Sequence, residues 1–299
     1  MPLTFLAHQL PVLPFTRSRR VDGVALVLGS MAPDFLFVLA PYGIGVNGHR
    51  LPYAITAAVP AAMVASWIVV HVLARVVPDH LPASGFAAQF ALDDYRGLAT
   101  HRFRPVWFAG SAALGVASHI ALDHFTHDWG FVARSWRWWR EPVATLPVAH
   151  ATITPVGSAQ YVLSFVLGIG CIIALARRGR AGWFRDPASR VERFAVSRRT
   201  HSMLWSCTGA GMLLAVGFAS ALSGGRAALV LSASGGAFAG LGISSWLLLR
   251  TVASGGTNGS AIGGRTTLAE RDPRSTAERG GGRDDLSVPA KLSRPAHPR

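Results

Sequence analysis

Apolar runs about twenty residues long, separated by polar connections, set the rhythm of this chain. Residues 21–41, 54–77, 106–124, 157–176, 203–222 and 227–249 are such runs. Each is close to the length an α-helix needs to cross the roughly 30 Å hydrocarbon core of a bilayer. Only helices and closed barrels satisfy their backbone inside lipid. The pattern therefore predicts an all-α protein, a polytopic membrane helix bundle with about six apolar helices. From Thr251 the composition turns to Gly, Ser, Thr, Pro and mixed charge, which cannot bury a core, and 251–299 is predicted to be a disordered tail. The expected organisation is a membrane domain at 1–176, a basic loop at 177–200, a membrane hairpin at 201–250 and the tail.

The first run is irregular. Gly29, Ser30 and Pro33 precede Asp34 and loosen any helix there. It reads either as a full span or as a broken, re-entrant segment that presents Asp34 to a cavity.

Composition agrees with a membrane setting. Half the residues are hydrophobic and 15% are charged, against about 25% charged in a soluble domain. The net charge of +14 would suit nucleic acid, but its distribution does not. No basic domain with aromatic stacking positions stands apart from the apolar runs, so membrane lipid, not nucleic acid, is the expected partner. Arg177, Arg178, Arg180, Arg185, Arg190, Arg193, Arg198 and Arg199 crowd one loop. The positive-inside rule puts that loop in the cytoplasm, with the C-terminus. Residues 42–53 and 125–156 are then outside and 78–105 inside. Outside the tail, the only outer arginines are Arg50, Arg134, Arg137, Arg140 and Arg226. The alternating indoles and guanidiniums of 134–140 fit a segment lying on the bilayer surface. Cys171 and Cys207 both fall in apolar runs, which leaves no disulfide framework and no Cys-rich zinc site. No basic stretch precedes an apolar core at the N-terminus, so no cleavable signal peptide is expected.

The chemistry concentrates at residues 114–130. His119, Asp123 and His127 are spaced four and four, so a helix carries them on one stripe. Two imidazoles and a carboxylate on one stripe suit a divalent metal. Ionisable groups at membrane depth are costly and mark function. Asp34 and His49 are expected on the same membrane side as this stripe. His8 falls on the opposite side if 21–41 spans. It shares their side if the segment is broken, at the cost of placing Arg17, Arg19 and Arg20 outside. Asp93 and Asp94 read as solvated loop acids, and His71 as an interfacial or packing residue.

Taken together, Pro2-Leu3-Thr4 followed by His8, Gly29 to Phe35, His49-Arg50-Leu51-Pro52, and His119 through Asp123, Thr126 and His127 resemble an uncharacterised bacterial membrane-protein family, domain-of-unknown-function family 4184. The resemblance covers about 1–176. More distantly, that family is similar to membrane-bound metal-dependent hydrolases and to zinc-dependent phospholipase C. The resemblance implies His8, Asp34, His49, His119, Asp123 and His127 as metal ligands, zinc as the metal, and Asp34 or Asp123 as the catalytic carboxylate. It also implies an amphiphilic, phospholipid-like substrate and a multi-pass place in the bacterial cytoplasmic membrane. One departure stands out. Where the family often has a Gln-His-Gly-Ser-Ser-like run, this chain has 154–160 without a histidine, and His150 is the nearest substitute. The alternative reading is a non-enzymatic transporter or structural membrane protein with a buried His/Asp cluster. No internal repeat of the kind transporters carry is visible.

Overall fold

The computed structural model describes residues 4–82, 84, 90, 92–102, 104–146, 151–181, 194–222 and 226–255. His150, residues 182–193 of the basic loop and the tail from 256 lie outside the described residues, as do the side chains of Asp93 and Asp94.

Among the described residues, five helices are long and apolar enough to cross a membrane, and a bent pair makes a sixth if counted as one span. The long elements are α4 (Leu51–His80), α5 (Pro105–Thr126), α8 (Pro155–Arg180), α9 (Arg198–Leu222) and α10 (Arg226–Gly255). Short pieces complete the chain: α1 (Thr4–Ala7), α2 (Gly23–Gly29), α3 (Ala32–Phe35), α6 (Phe131–Ser135), α7 (Arg137–Arg140) and the antiparallel strands β1 (Ala144–Leu146) and β2 (Ala151–Ile153). Large apolar side chains such as Leu213, Leu214 and Phe165 face outward, as lipid-facing positions do.

The first apolar run is broken. α2 starts at Asp22, whose Oδ1 accepts hydrogen bonds from the Val24 and Ala25 amides at 3.1 and 2.9 Å. This satisfies two amides that a helix start otherwise leaves orphaned. α2 ends at Gly29. Pro33 then occupies the first turn of α3, where its missing N–H costs nothing. α3 runs on as a 3-10 helix to Tyr42. The two halves meet at 51°.

Small residues allow the close packing that follows. Ala25, Ala32, Ala54, Ala58, Ala62 and Ala112 share one core with Leu36, Phe108 and Val116, the composition expected of helices that pack in lipid. Gly29 and Gly115 let α2 and α5 approach closely, since a Cβ on Gly29 would overlap the Ala112 carbonyl and one on Gly115 would overlap the Leu26 carbonyl and stand 2.7 Å from the Ser30 nitrogen.

The N-terminal segment lies along α8. Gln9 Oε1 is 4.0 Å from Cys171 Sγ, and Leu10 fills the space where Gly170 lacks a side chain. Farther along, Arg178 donates to the Leu13 carbonyl at 2.8 Å and to Thr16 Oγ1 at 3.4 Å. Residues 9–16 thus run along α8 from its middle toward its arginine-rich end. Both cysteines are free, and Cys171 is buried.

Candidate metal centre

The six side chains singled out in the sequence come together. Three elements and one loop deliver them: α1 and the residue after it (His8), α3 (Asp34), the loop before α4 (His49), and α5 with its C-cap (His119, Asp123, His127). Gly48 sets the loop, because a Cβ there would lie 2.7 Å from Pro33 Cα. That close approach seats His49 beside Asp34. Asn47 Oδ1 accepts the His49 amide at 3.0 Å and shapes the turn.

Asp34, His49, His119 and Asp123 each offer a ligand atom, and these four atoms lie within 4.8 Å of one another. His49 Nε2 is 3.0 Å from His119 Nε2, 2.9 Å from Asp123 Oδ2 and 3.4 Å from Asp34 Oδ1. His119 Nε2 is 3.3 Å from Asp123 Oδ2 and 3.5 Å from Asp34 Oδ1. Nitrogen and oxygen ligands at about 2.0–2.1 Å from a tetrahedral zinc stand about 3.3 Å apart. The observed spacings bracket that value, so this group can hold a metal ion.

The tautomer of His119 supports the same conclusion. Its Nδ1 is 2.7 Å from the Ser30 carbonyl. A carbonyl only accepts, so Nδ1 carries the hydrogen, and in the neutral ring Nε2 turns a lone pair to the cluster. Metal-bound histidines show this arrangement as a rule. His49 is held between the rings of Phe37 and Trp129, at centroid distances of 5.4 and 5.7 Å. Burial pulls its pKa down, but Asp123 and Asp34 outweigh burial, and it lies above the ordinary histidine value.

Asp123 has two faces. Oδ2 meets His49 and His119. Oδ1 is buried without a hydrogen-bond partner and stands 3.5 Å from His8 Nε2 and 3.3 Å from His127 Nδ1. His8 is 5% exposed and stacks on His119 with ring centroids 3.7 Å apart. Burial and the neighbouring His119 pull the His8 pKa down to about 4, against the opposing pull of Asp123. His8 is therefore neutral at pH 7. The first run is broken, as one of the two readings from topology required for His8 to join Asp34, and His8 stands beside Asp123 in the cluster. His127 Nδ1 is hydrogen-bonded to Thr126 Oγ1 at 3.1 Å and its Nε2 to the Gln160 amide at 2.9 Å. His124 serves the backbone instead, since its Nδ1 accepts the Phe131 amide at 3.0 Å where α6 starts.

A cavity of about 360 Å³ opens onto the cluster, lined by Asp34, Phe37, Asn47, His49, Arg50, His127, Trp129 and Arg134. The Asp34 side chain is 18% exposed against 2% for Asp123. Asp34 is thus the carboxylate that the cavity reaches, and Asp123 lies deeper. Residue order alone did not point to Arg50, Arg134, Trp129, Gln160 or the Ser30 carbonyl as site components. The arginines carried one usable signal, being among the few expected on that side. The carbonyl carried none, because no side chain announces it.

The family described as Domain of unknown function (DUF4184) matches residues 1–251. No curated protein and no solved structure matches the chain.

Proposed function

Because the chain belongs to that family, whose description names no activity, we propose its function from the site itself: a membrane-embedded hydrolase that uses a divalent ion. One observation carries this reading. Four donors from three separate parts of the chain converge within 4.8 Å of one another. Two imidazoles and two carboxylates suit zinc among the common ions. His49, His119 and Asp123 would hold the ion, and Asp34, the carboxylate that the cavity reaches, faces the position left for water. His8 and His127 act through Asp123 by holding its second oxygen in place. Gln160 occupies the place the sequence left without a histidine, and it fixes the His127 ring.

A bound divalent ion would polarise a substrate oxygen and lower the pKa of coordinated water to about 7. The chain's own residues do the rest. Asp34, at the floor of the cavity, accepts the proton that water loses as its oxygen attacks the ester. The bond to the leaving oxygen breaks, and that oxygen takes a proton from the solvated cavity. Trp129 and Phe37 fix His49 and narrow the water-filled space beside it.

The arginine distribution supports a cytoplasmic C-terminus in a bacterial cytoplasmic membrane, with the cavity open to the outer side and an amphiphilic substrate arriving from the lipid. Elemental analysis of detergent-purified protein tests the central claim. Zinc or another divalent metal near one ion per chain, lost in His119→Ala, is the expected result. A metal content at background in the parent protein rejects the hydrolase.

A further inference from the structure

We propose that Arg50 and Arg134 make the cavity a receptor for a phosphomonoester, so that the ester cleaved is a phosphate ester and not a carboxylic one. The inference rests on the metal-dependent hydrolase reading above and adds the substrate class. Arg50 immediately follows His49, and Arg134 lies on α6, yet both line the same cavity as Asp34, His49 and His127. Neither guanidinium has a carboxylate partner among the described residues. By contrast Arg137, in the same connection, is paired with Glu141 at 2.8 Å. Arginine on this side is scarce. Of the five expected there from the charge distribution, two line this one cavity.

Charge decides between the ester classes. The imidazoles are counted neutral as ligands. The two guanidiniums cancel the two carboxylates, so a bound divalent ion leaves two positive charges facing the cavity. A phosphomonoester dianion neutralises them. A carboxylic ester is uncharged at its reacting group and leaves both uncompensated. The planar fork of arginine also matches phosphoryl oxygens, two per guanidinium. In the reaction water's oxygen bonds to phosphorus and the bond from phosphorus to the ester oxygen breaks. Asp34 takes the proton, and the released alcohol gains one from solvent. Arg50 and Arg134 hold the non-bridging oxygens throughout. The phosphate can be a lipid headgroup or a soluble monoester, since both present the same dianion.

Binding of inorganic phosphate, measured by calorimetry on the full chain with its metal content first determined, tests this without relying on turnover. In Arg50→Gln and Arg134→Gln the affinity should fall about tenfold or more, as when a charge-assisted hydrogen bond to an anion is lost. Arg137→Gln should bind as the parent does, and Arg→Lys variants at 50 and 134 should recover part of the loss. Melting temperatures near the parent value confirm that the variants fold. Equal phosphate affinity in folded parent and Gln variants overturns the inference. So does hydrolysis of p-nitrophenyl acetate but not p-nitrophenyl phosphate by metal-loaded protein, a result that leaves the hydrolase intact. A protein with no bound ion removes the hydrolase reading, and this one with it, before any phosphate is added. Glycerol 3-phosphate and phosphatidic acid in detergent micelles, compared as substrates, separate the soluble from the lipid source, and cleavage of either supports the phosphomonoester class.

Discussion

The Ser30 carbonyl and His119 Nδ1, 89 residues apart in sequence, are 2.7 Å apart in space. The break between α2 and α3 and the tautomer of the central histidine are therefore one feature. In an unbroken helix the Ser30 carbonyl would point along the axis to an amide four residues on. The turn at Ser30 and Met31, enforced by Pro33, turns that carbonyl toward α5. His119 Nε2 then faces the cluster as an acceptor.

Gly115 holds this relationship in place, and replacing it should disturb both stability and metal binding. A valine there meets the Ser30 nitrogen and forces α2 away from α5. Overpacking of this kind costs about 1–3 kcal/mol. Gly115→Val should lower the melting temperature and reduce bound metal together, while Gly110→Ala, in open space on the same helix, should change neither. Thermal melts and elemental analysis on the same preparations check this.

Metal affinity should divide the six side chains into two groups. His119→Ala and Asp123→Asn remove donors of the four-atom set and should abolish stoichiometric binding. His127→Ala and Gln160→Leu remove groups that orient Asp123 and should weaken binding by about 10–100-fold without abolishing it. Competition with a chelator measures the difference. Two ions per chain in the parent protein would instead assign His8 and His127 to a second ion.

Ser111 supports the start of α2 from across the bundle. Its Oγ accepts the Asp22 amide at 2.7 Å, and Ser111 is 3% exposed. Ser111→Ala leaves that N–H buried without a partner, at a cost of about 1–3 kcal/mol. The loss should appear in the melting temperature and leave the metal content unchanged at temperatures where the protein stays folded.

His101 makes stability depend on pH. The hydrogen bond to Asp22 raises its pKa, burial opposes this, and the net shift is upward from the ordinary value. The folded protein therefore binds this proton more tightly than the unfolded chain does. The stabilisation is fully present below the unfolded value, about 6.5, and is lost as pH rises through the higher folded value. The His101 side chain is 39% exposed, so solvent screens the pair and the effect is modest. The melting-temperature gap between the parent protein and His101→Gln should be widest in mildly acidic buffer and close as the buffer is made alkaline.

Much of the molecule follows from the order of residues alone. Uninterrupted apolar runs dictate helices, because lipid leaves a backbone no other partner, and the runs at 54–77, 106–124, 157–176, 203–222 and 227–249 each lie within a long helix. The helical period alone places His119 and Asp123 on one stripe, and the cost of burying them marks the stripe as chemically active; His127, expected on the same stripe, is the C-cap of α5 with extended backbone and meets Asp123 from just past the helix. Pro33 and its neighbours announce a weak point in the first run. Distance along the chain, however, says nothing about which weak point meets which stripe. Only tertiary packing decides that the bend at Ser30 faces His119, and that Gly48 can press against Pro33 and seat His49. It also decides that Arg50 and Arg134 share one cavity. His8 shows the limit most clearly. Counting arginines assigns a chain segment to one side of a bilayer, but the path of residues 8–16 along α8 is what brings His8 to the cluster while Leu13 and Thr16 meet Arg178. That placement rests on contacts with Gly170, Cys171 and Arg178, which lie more than 150 residues away and leave no trace in the local pattern.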